Sequence, residues 1–171
     1  MSMTESVLET RALGKHYGNT QALKDISVTL ERDKIYGLLG RNGAGKTTFL
    51  DCLASRIFAN EGEVSIFGKP AEENQGVLSR ICYMSEKNLF MKNAPVSMQL
   101  QQAALFFPDF DEVYAHRLCD LFELDPSKKY RALSRGFESI LRIVIGLASR
   151  AELTIFDEPV LGIDAAVREM F

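Results

Sequence analysis

Ile35-Tyr-Gly-Leu-Leu-Gly40-Arg-Asn-Gly-Ala-Gly45-Lys46-Thr47-Thr48 is the stretch whose reading decides the fold. An apolar run of strand length ends at Gly40, and a glycine-rich turn leads into Lys46-Thr47-Thr48-Phe49-Leu50, which reads as a helix opening. Gly40-x-x-x-x-Gly45-Lys46-Thr47 matches the P-loop pattern in full. Its glycines let the backbone of Gly40, Arg41, Asn42, Gly43, Ala44 and Gly45 curl, so that successive N–H groups point into one anion-sized hollow. The helix that follows offers its unpaired N–H groups, those of Thr47 and Thr48 included, and the positive end of its dipole to the same anion. In that setting Lys46 reaches the β- and γ-phosphates of a nucleotide, and the Thr47 hydroxyl is a Mg²⁺ ligand. A dinucleotide fingerprint shares the strand–turn–helix setting but fails on spacing, because no third glycine follows Gly43-Ala44-Gly45 where G-x-G-x-x-G needs one.

Working outward, 171 residues with 46% hydrophobic and 25% charged composition suit one globular domain with a substantial core. A formal net charge of −3, with no run of Lys or Arg to offset it, argues against a nucleic-acid partner. No apolar stretch approaches a bilayer span. The first residues, Met-Ser-Met-Thr-Glu-Ser, carry an acid and no basic stretch, and read as no signal peptide. Cys52, Cys82 and Cys119 are odd in number and far apart, which fits reduced thiols in a cytosolic protein.

Val7 to Leu13 and Ile26 to Leu30 read as strands, with Tyr17-Gly18-Asn19 as turn chemistry between them. Lys34 to Leu39 reads as the strand that feeds the P-loop. The helix after it is expected to carry Phe49, Leu50, Leu53, Ala54 and Ile57 on one stripe. Glu63 to Phe67 and Ile81 to Met84 read as further strands. From Val96 to Phe122 the pattern is helical, broken at Pro108. Asp109 and Asp111 can cap a helix whose expected face is Tyr114, Arg117, Leu118, Leu121 and Phe122. Phe137 to Ser149 is a second strong helix, with Ile140, Leu141, Val144, Ile145 and Ala148 inward, and Leu153 to Phe156 is a strand that ends in Asp157-Glu158.

An acidic pair at the end of an apolar strand is the expected companion of a P-loop, since ligands of open α/β sheets sit at the carboxyl ends of strands. Asp157 then holds Mg²⁺ through its water shell as a Walker B aspartate, and Glu158 orients and deprotonates the attacking water. Taken alone, the pair could equally be a solvated strand end.

With these residues in place, the chain resembles the ATP-binding domain of ABC transporters over residues 1–171. The family's signature loop, ideally LSGGQ, is matched by Leu133-Ser134-Arg135-Gly136-Phe137 ahead of a helix. Asp157-Glu158-Pro159 to Gly162-Ile163-Asp164 is similar to Walker B followed by the D-loop, and Lys15-His16-Tyr17-Gly18 is similar to the A-loop. Phe106-Phe107-Pro108-Asp109-Phe110-Asp111 resembles bacterial members that serve ABC-2-type permeases. The resemblance implies an α/β fold: a P-loop NTPase core with an N-terminal antiparallel β-subdomain and a helical signature subdomain inserted near residues 90–150. It implies an ATP hydrolase in which Tyr17 stacks on adenine. Two such domains pair head to tail, with Ser134 and the Gly136 N–H of one on the γ-phosphate held by Lys46 of the other. It also implies a separate transmembrane permease as partner, and hence a cytoplasmic protein peripheral to the inner face of the membrane.

Three departures from the family pattern stand out. Arg135 replaces a glycine and Phe137 a glutamine in the signature loop, so altered nucleotide affinity is expected. Glu86, in Tyr83-Met84-Ser85-Glu86, stands where the family has its Q-loop glutamine; a carboxylate there remains a hard Mg²⁺ ligand. The family's switch histidine lies a few dozen residues past Walker B, beyond Phe171, and His16 and His116 are in the wrong places to replace it. Slow hydrolysis is the expectation for this stretch taken as a truncated domain. Two other readings stay open: a non-transport ABC ATPase, although no coiled-coil, zinc or second-ATPase insertion is visible, and a regulatory module that binds nucleotide without turning it over.

Overall fold

The computed structural model of the chain describes residues 6–87 and 90–163. The chain divides into two compact units, Met1–Arg80 and Ile81–Phe171, each with its own sheet.

The first unit is built on a hairpin. Strand β1 (Ser6–Tyr17) pairs antiparallel with β2 (Thr20–Glu31), and Gly18 at φ +55° supplies the left-handed residue of the turn. Both strands outrun the lengths expected from alternation. Register shifts near Ala12 and Asp25, both at positive φ, let the ladder continue across bulges that the side-chain pattern reads as strand ends. Strand β3 (Glu61–Ile66) pairs with β1 and then with β4 (Lys69–Pro70), giving the order β2-β1-β3-β4. Helix α1 (Lys46–Leu53) sets Cys52 against Leu13 and Leu23, with Phe49 and Ile57 at the margin of the cluster. Its buried residues are Asp51, Cys52 and Leu53 rather than the expected stripe, because the helix stops at Leu53 and Ser55 turns left-handed before Ile57. A short helix α2 (Gln75–Leu78), capped by the Asn74 side chain, closes the unit.

The expected strand from Lys34 to Leu39 does not form: the segment lies outside the unit's sheet, Ile35 is fully exposed and Leu39 is 93% exposed. Apolarity and β-branching favour a strand only where a neighbouring backbone pairs with it, and β2 already pairs with β1 on its inner side. Tyr36 instead holds the segment locally, its hydroxyl accepting the Glu31 N–H at 2.9 Å.

The second unit has β5 (Ile81–Met84) parallel to β6 (Leu153–Phe156), and three helices between them in sequence: α3 (Val96–Phe106), α4 (Glu112–Leu121) and α5 (Arg135–Ala148). Helix α5 is the spine. Leu141, Val144 and Ala148 are wholly buried on it, each of the two larger ones contributing about 1.5–3 kcal/mol by leaving water. Gly146 lets α5 lie flat on β6, since a Cβ there would sit 2.5 Å from the Phe156 ring. Pro108 follows α3 as expected, and Asp111 caps α4 by accepting the Tyr114 N–H at 2.8 Å. Arg150 donates to the other Asp111 oxygen at 2.7 Å. Helix α4 is turned from its expected face: Ala115, Leu118 and Cys119 point inward, with Phe122 just beyond, whereas Leu121 is exposed. Among the described residues no helix is long and apolar enough to cross a membrane.

Candidate functional site

In the first unit the glycine-rich loop runs from Gly40 into α1. Gly43 and Gly45 lie at φ +81° and +87°, in the region that strains any residue with a side chain. Gly45 is also pinned from outside, because a Cβ there would meet the Ala22 carbonyl oxygen of β2 at 2.4 Å. Gly45 occupies the N-cap of α1, offers no side-chain cap, and no acidic residue stands in the first turn. Neither the cap nor the first turn of α1 thus supplies an anionic side chain to its opening N–H groups and dipole. Arg41, Asn42 and Ala44 are exposed, and Thr47 and Thr48 sit in the first turn. Lys46 folds back, its Nζ donating to the carbonyls of Gly40 at 2.9 Å and Arg41 at 3.3 Å. The loop thus keeps a cation beside the opening of α1, bonded only to neutral carbonyls that a phosphate oxygen could replace. Tyr17 ends β1 with its ring half exposed, and the Lys15 ammonium stands 5.3 Å from the ring centre. An exposed aromatic face beside a cation is a stacking surface for an electron-rich ring.

The second unit gathers the acidic residues. The Asp157 N–H donates to the Met84 carbonyl at 2.9 Å, extending the β5–β6 ladder by one residue. Glu86 and the Asp157-Glu158 pair accordingly leave the carboxyl end of the same two-stranded sheet. Ser85 is buried there, its Oγ accepting the Lys87 N–H, while Glu86 is exposed. Glu158 adopts φ +52°, left-handed for a residue with a side chain, and such strain is commonest where a group is being aimed. Within this unit the carboxylates of Asp157 and Glu86 are hard oxygen donors of the kind that Mg²⁺ takes.

The signature residues stand in the same unit. Ser134 is the N-cap of α5, its Oγ accepting the Phe137 N–H at 3.3 Å, which leaves the hydroxyl proton available to an anion. Arg135 is exposed beside it. Gly136 is pressed against the loop that follows Glu158: a Cβ on it would lie 2.6 Å from the Gly162 carbonyl oxygen. Of that loop Asp164 lies outside the described residues. His16 and His116 are both exposed. The structure thus groups Tyr17 and residues 40–48 in one unit, and Glu86, Ser134, Gly136, Asp157 and Glu158 in the other.

Two residues escaped the sequence reading. Ser139 and Arg142 are buried on α5, where Arg142 Nη2 donates to Ser139 Oγ at 2.8 Å and Ser139 Oγ donates to the Leu161 carbonyl at 2.7 Å. Their signal was an arginine inside the apolar run Ile140-Leu-Arg-Ile-Val-Ile145, one turn past a serine.

Residues 23–161 match the family described as ABC transporter. The chain is 38% identical over 162 residues to the ABC transporter ATP-binding protein YtrB of Bacillus subtilis, covering 95% of this chain and 56% of that protein. It is 33% identical to the bacitracin transport ATP-binding protein BcrA of Enterococcus faecalis, covering 96% and 54% respectively. The chain therefore spans about half the length of these curated relatives. Among solved structures it is similar to a putative ABC transporter ATP-binding protein from Pyrococcus furiosus, with TM-score 0.82, 26% identity, and coverage of 95% of this chain and 80% of that one. An ATP-binding subunit of an ABC transporter gives TM-score 0.81 at 25% identity, covering 95% and 70%. A glycine-opened helix with its lysine, an acidic pair after a short apolar strand and a serine-capped signature helix all agree with these likenesses, and the chain belongs to the ABC transporter family of ATP-binding domains.

Proposed function

We propose that this chain is the nucleotide-binding part of an ABC transporter motor, which binds and hydrolyses MgATP and passes the resulting motion to a separate membrane permease. The observation that carries the reading is the N-terminus of α1, opened by Gly45, uncapped, and overhung by the Lys46 ammonium. Both Lys46 hydrogen bonds are to neutral carbonyls, so exchanging them for phosphate oxygens trades neutral acceptors for charged ones, which bind roughly twice as strongly. Tyr17 stacks the adenine, residues 40–48 hold the phosphates, and Glu158 takes the proton of the attacking water. Thr47, Asp157 and Glu86 would hold Mg²⁺, which when bound neutralises phosphate charge and polarises the transferred phosphoryl group.

A second ATP-binding domain, set head to tail, completes the site in this reading. The Ser134 hydroxyl and the Gly136 N–H would grip the γ-phosphate on the partner's loop, so that closure requires ATP rather than ADP. Transport relatives support a role at the cytoplasmic face of a membrane over one in nucleic-acid metabolism. Arg135 and Phe137, on the other side, favour a weaker grip than an ideal signature loop gives.

Light scattering of the Glu158→Gln variant with and without MgATP tests the reading. A dimer with ATP and a monomer with ADP are expected; equal mass under both conditions contradicts the head-to-tail site.

A further inference from the structure

Helix α5 carries a buried polar relay that the nucleotide chemistry described above does not use. Arg142 is only 5% exposed and Ser139 is wholly buried. A buried guanidinium is costly unless it is hydrogen-bonded and balanced by opposite charge. Arg142 meets the first condition by donating to Ser139 Oγ at 2.8 Å. Because Ser139 Oγ accepts from Arg142, its single proton is directed to the Leu161 carbonyl, at 2.7 Å. Leu161 in turn donates its N–H to the Glu158 carbonyl at 3.2 Å. One bonded path therefore runs from Arg142 through Ser139 and Leu161 to the backbone of Glu158, whose φ of +52° needs the surrounding chain to hold it. The same loop lies against Gly136 of the signature turn.

We propose that Ser139 and Arg142 are positioning residues, which fix the turn after Glu158 onto the signature helix and so set the aim of Glu158 and the place of Gly136 together. The assignment rests on the proposed role of Glu158 as the base in ATP hydrolysis. Helix α5 thereby acts as a single lever: displacement of its signature end is carried to the turn that follows the base. Of the pair, Ser139 holds the Leu161 carbonyl and Arg142 holds Ser139.

Two measurements on the full chain test this. In hydrogen exchange, the Leu161 amide of Ser139→Ala is expected to exchange about tenfold faster than wild type, the factor that loss of one such bond converts to. Amides within α5 are expected to keep their protection. In steady-state hydrolysis, Ser139→Ala and Arg142→Met are expected to lower kcat about tenfold and shift KM for ATP by less than about twofold. Arg142→Lys, which keeps a donor for Ser139, is expected to recover most of kcat. Unchanged Leu161 exchange in Ser139→Ala overturns the proposal whether or not the chain turns over ATP. Equal kcat for Arg142→Met and wild type overturns it too, as does a loss in Arg142→Met that Arg142→Lys fails to recover. By contrast, wild-type chain that binds no ATP contradicts the nucleotide reading and leaves the exchange result as the judge of the relay.

Discussion

The two regions to which we assign phosphate chemistry are held by opposite means. The loop of residues 40–48 is defined by what it leaves open. It has left-handed glycines, a helix end without a side-chain cap, and a lysine folded back onto the loop's own carbonyls. The turn after Glu158 is defined by what closes it. A buried serine on α5, itself bonded by a buried arginine, holds one of its carbonyls, and Gly136 leaves no space above another. The first region should change greatly on binding and the second should move as one piece with its helix. A glycine-rich site needs a ligand to be complete, whereas a side-chain-bonded site keeps its geometry in the ligand's absence.

Several substitutions break or sharpen that contrast. Glu158→Gln is expected to have the largest effect, lowering phosphate release by about 10²–10⁴-fold while leaving ATP binding in place. An unchanged release rate removes Glu158 from the mechanism. Gly45→Ala comes next, because it forces a side chain into a left-handed backbone and against the Ala22 carbonyl. A loss of about 1–3 kcal/mol and a Tm lower by several degrees are expected in calorimetry. Gly18→Ala, also at positive φ but with nothing near its Cβ, is expected to cost less, so equal losses would show that packing against Ala22 contributes nothing.

Smaller effects read the second unit. Burial pushes the Cys82 and Cys119 thiols up to about 11, so both should resist iodoacetamide at neutral pH in the folded protein and react on unfolding. Rapid alkylation of native protein at either residue contradicts the packing of α4 and α5. Asp111 is held below the usual carboxylate range by its bond from Arg150 and then by the Tyr114 N–H. A depressed folded-state value means that the contribution to stability is present above the unfolded value of about 4 and is lost as pH falls through the lower one. Asp111→Asn keeps an acceptor for the cap and removes the charge. Its Tm should therefore fall less steeply than wild type below about pH 4, and parallel curves would remove the ion pair from the acid response.

Much of this was legible in the sequence, for reasons that differ between elements. The P-loop and the acidic pair are short local patterns that stand out in the residues themselves, whereas the signature serine entered only through the resemblance to the family. Helix α5 read from its helical spacing of apolar residues and strands β5 and β6 from short apolar runs, because α5 buries one broad face and β5 most of its residues. The stretch from Lys34 to Leu39 did not, since strand formation depends on a partner backbone that the stretch's own residues do not encode. The face of α4 was misplaced by about one residue, because Leu121 and Cys119 are both apolar and only the packed neighbours decide which turns inward. Ser139 was invisible as a functional residue. Its role depends on the Leu161 carbonyl, 22 positions away, coming to lie over it.

Titration calorimetry of MgATP into the wild-type chain and into Lys46→Ala is the most direct test of the central claim that residues 40–48 form an ATP cradle. Saturable binding by wild type, weakened about a hundredfold or more by Lys46→Ala, is expected from the loss of a charge-assisted contact to the phosphates. Equal affinity in the two proteins, or no binding by the folded wild-type chain, would contradict it.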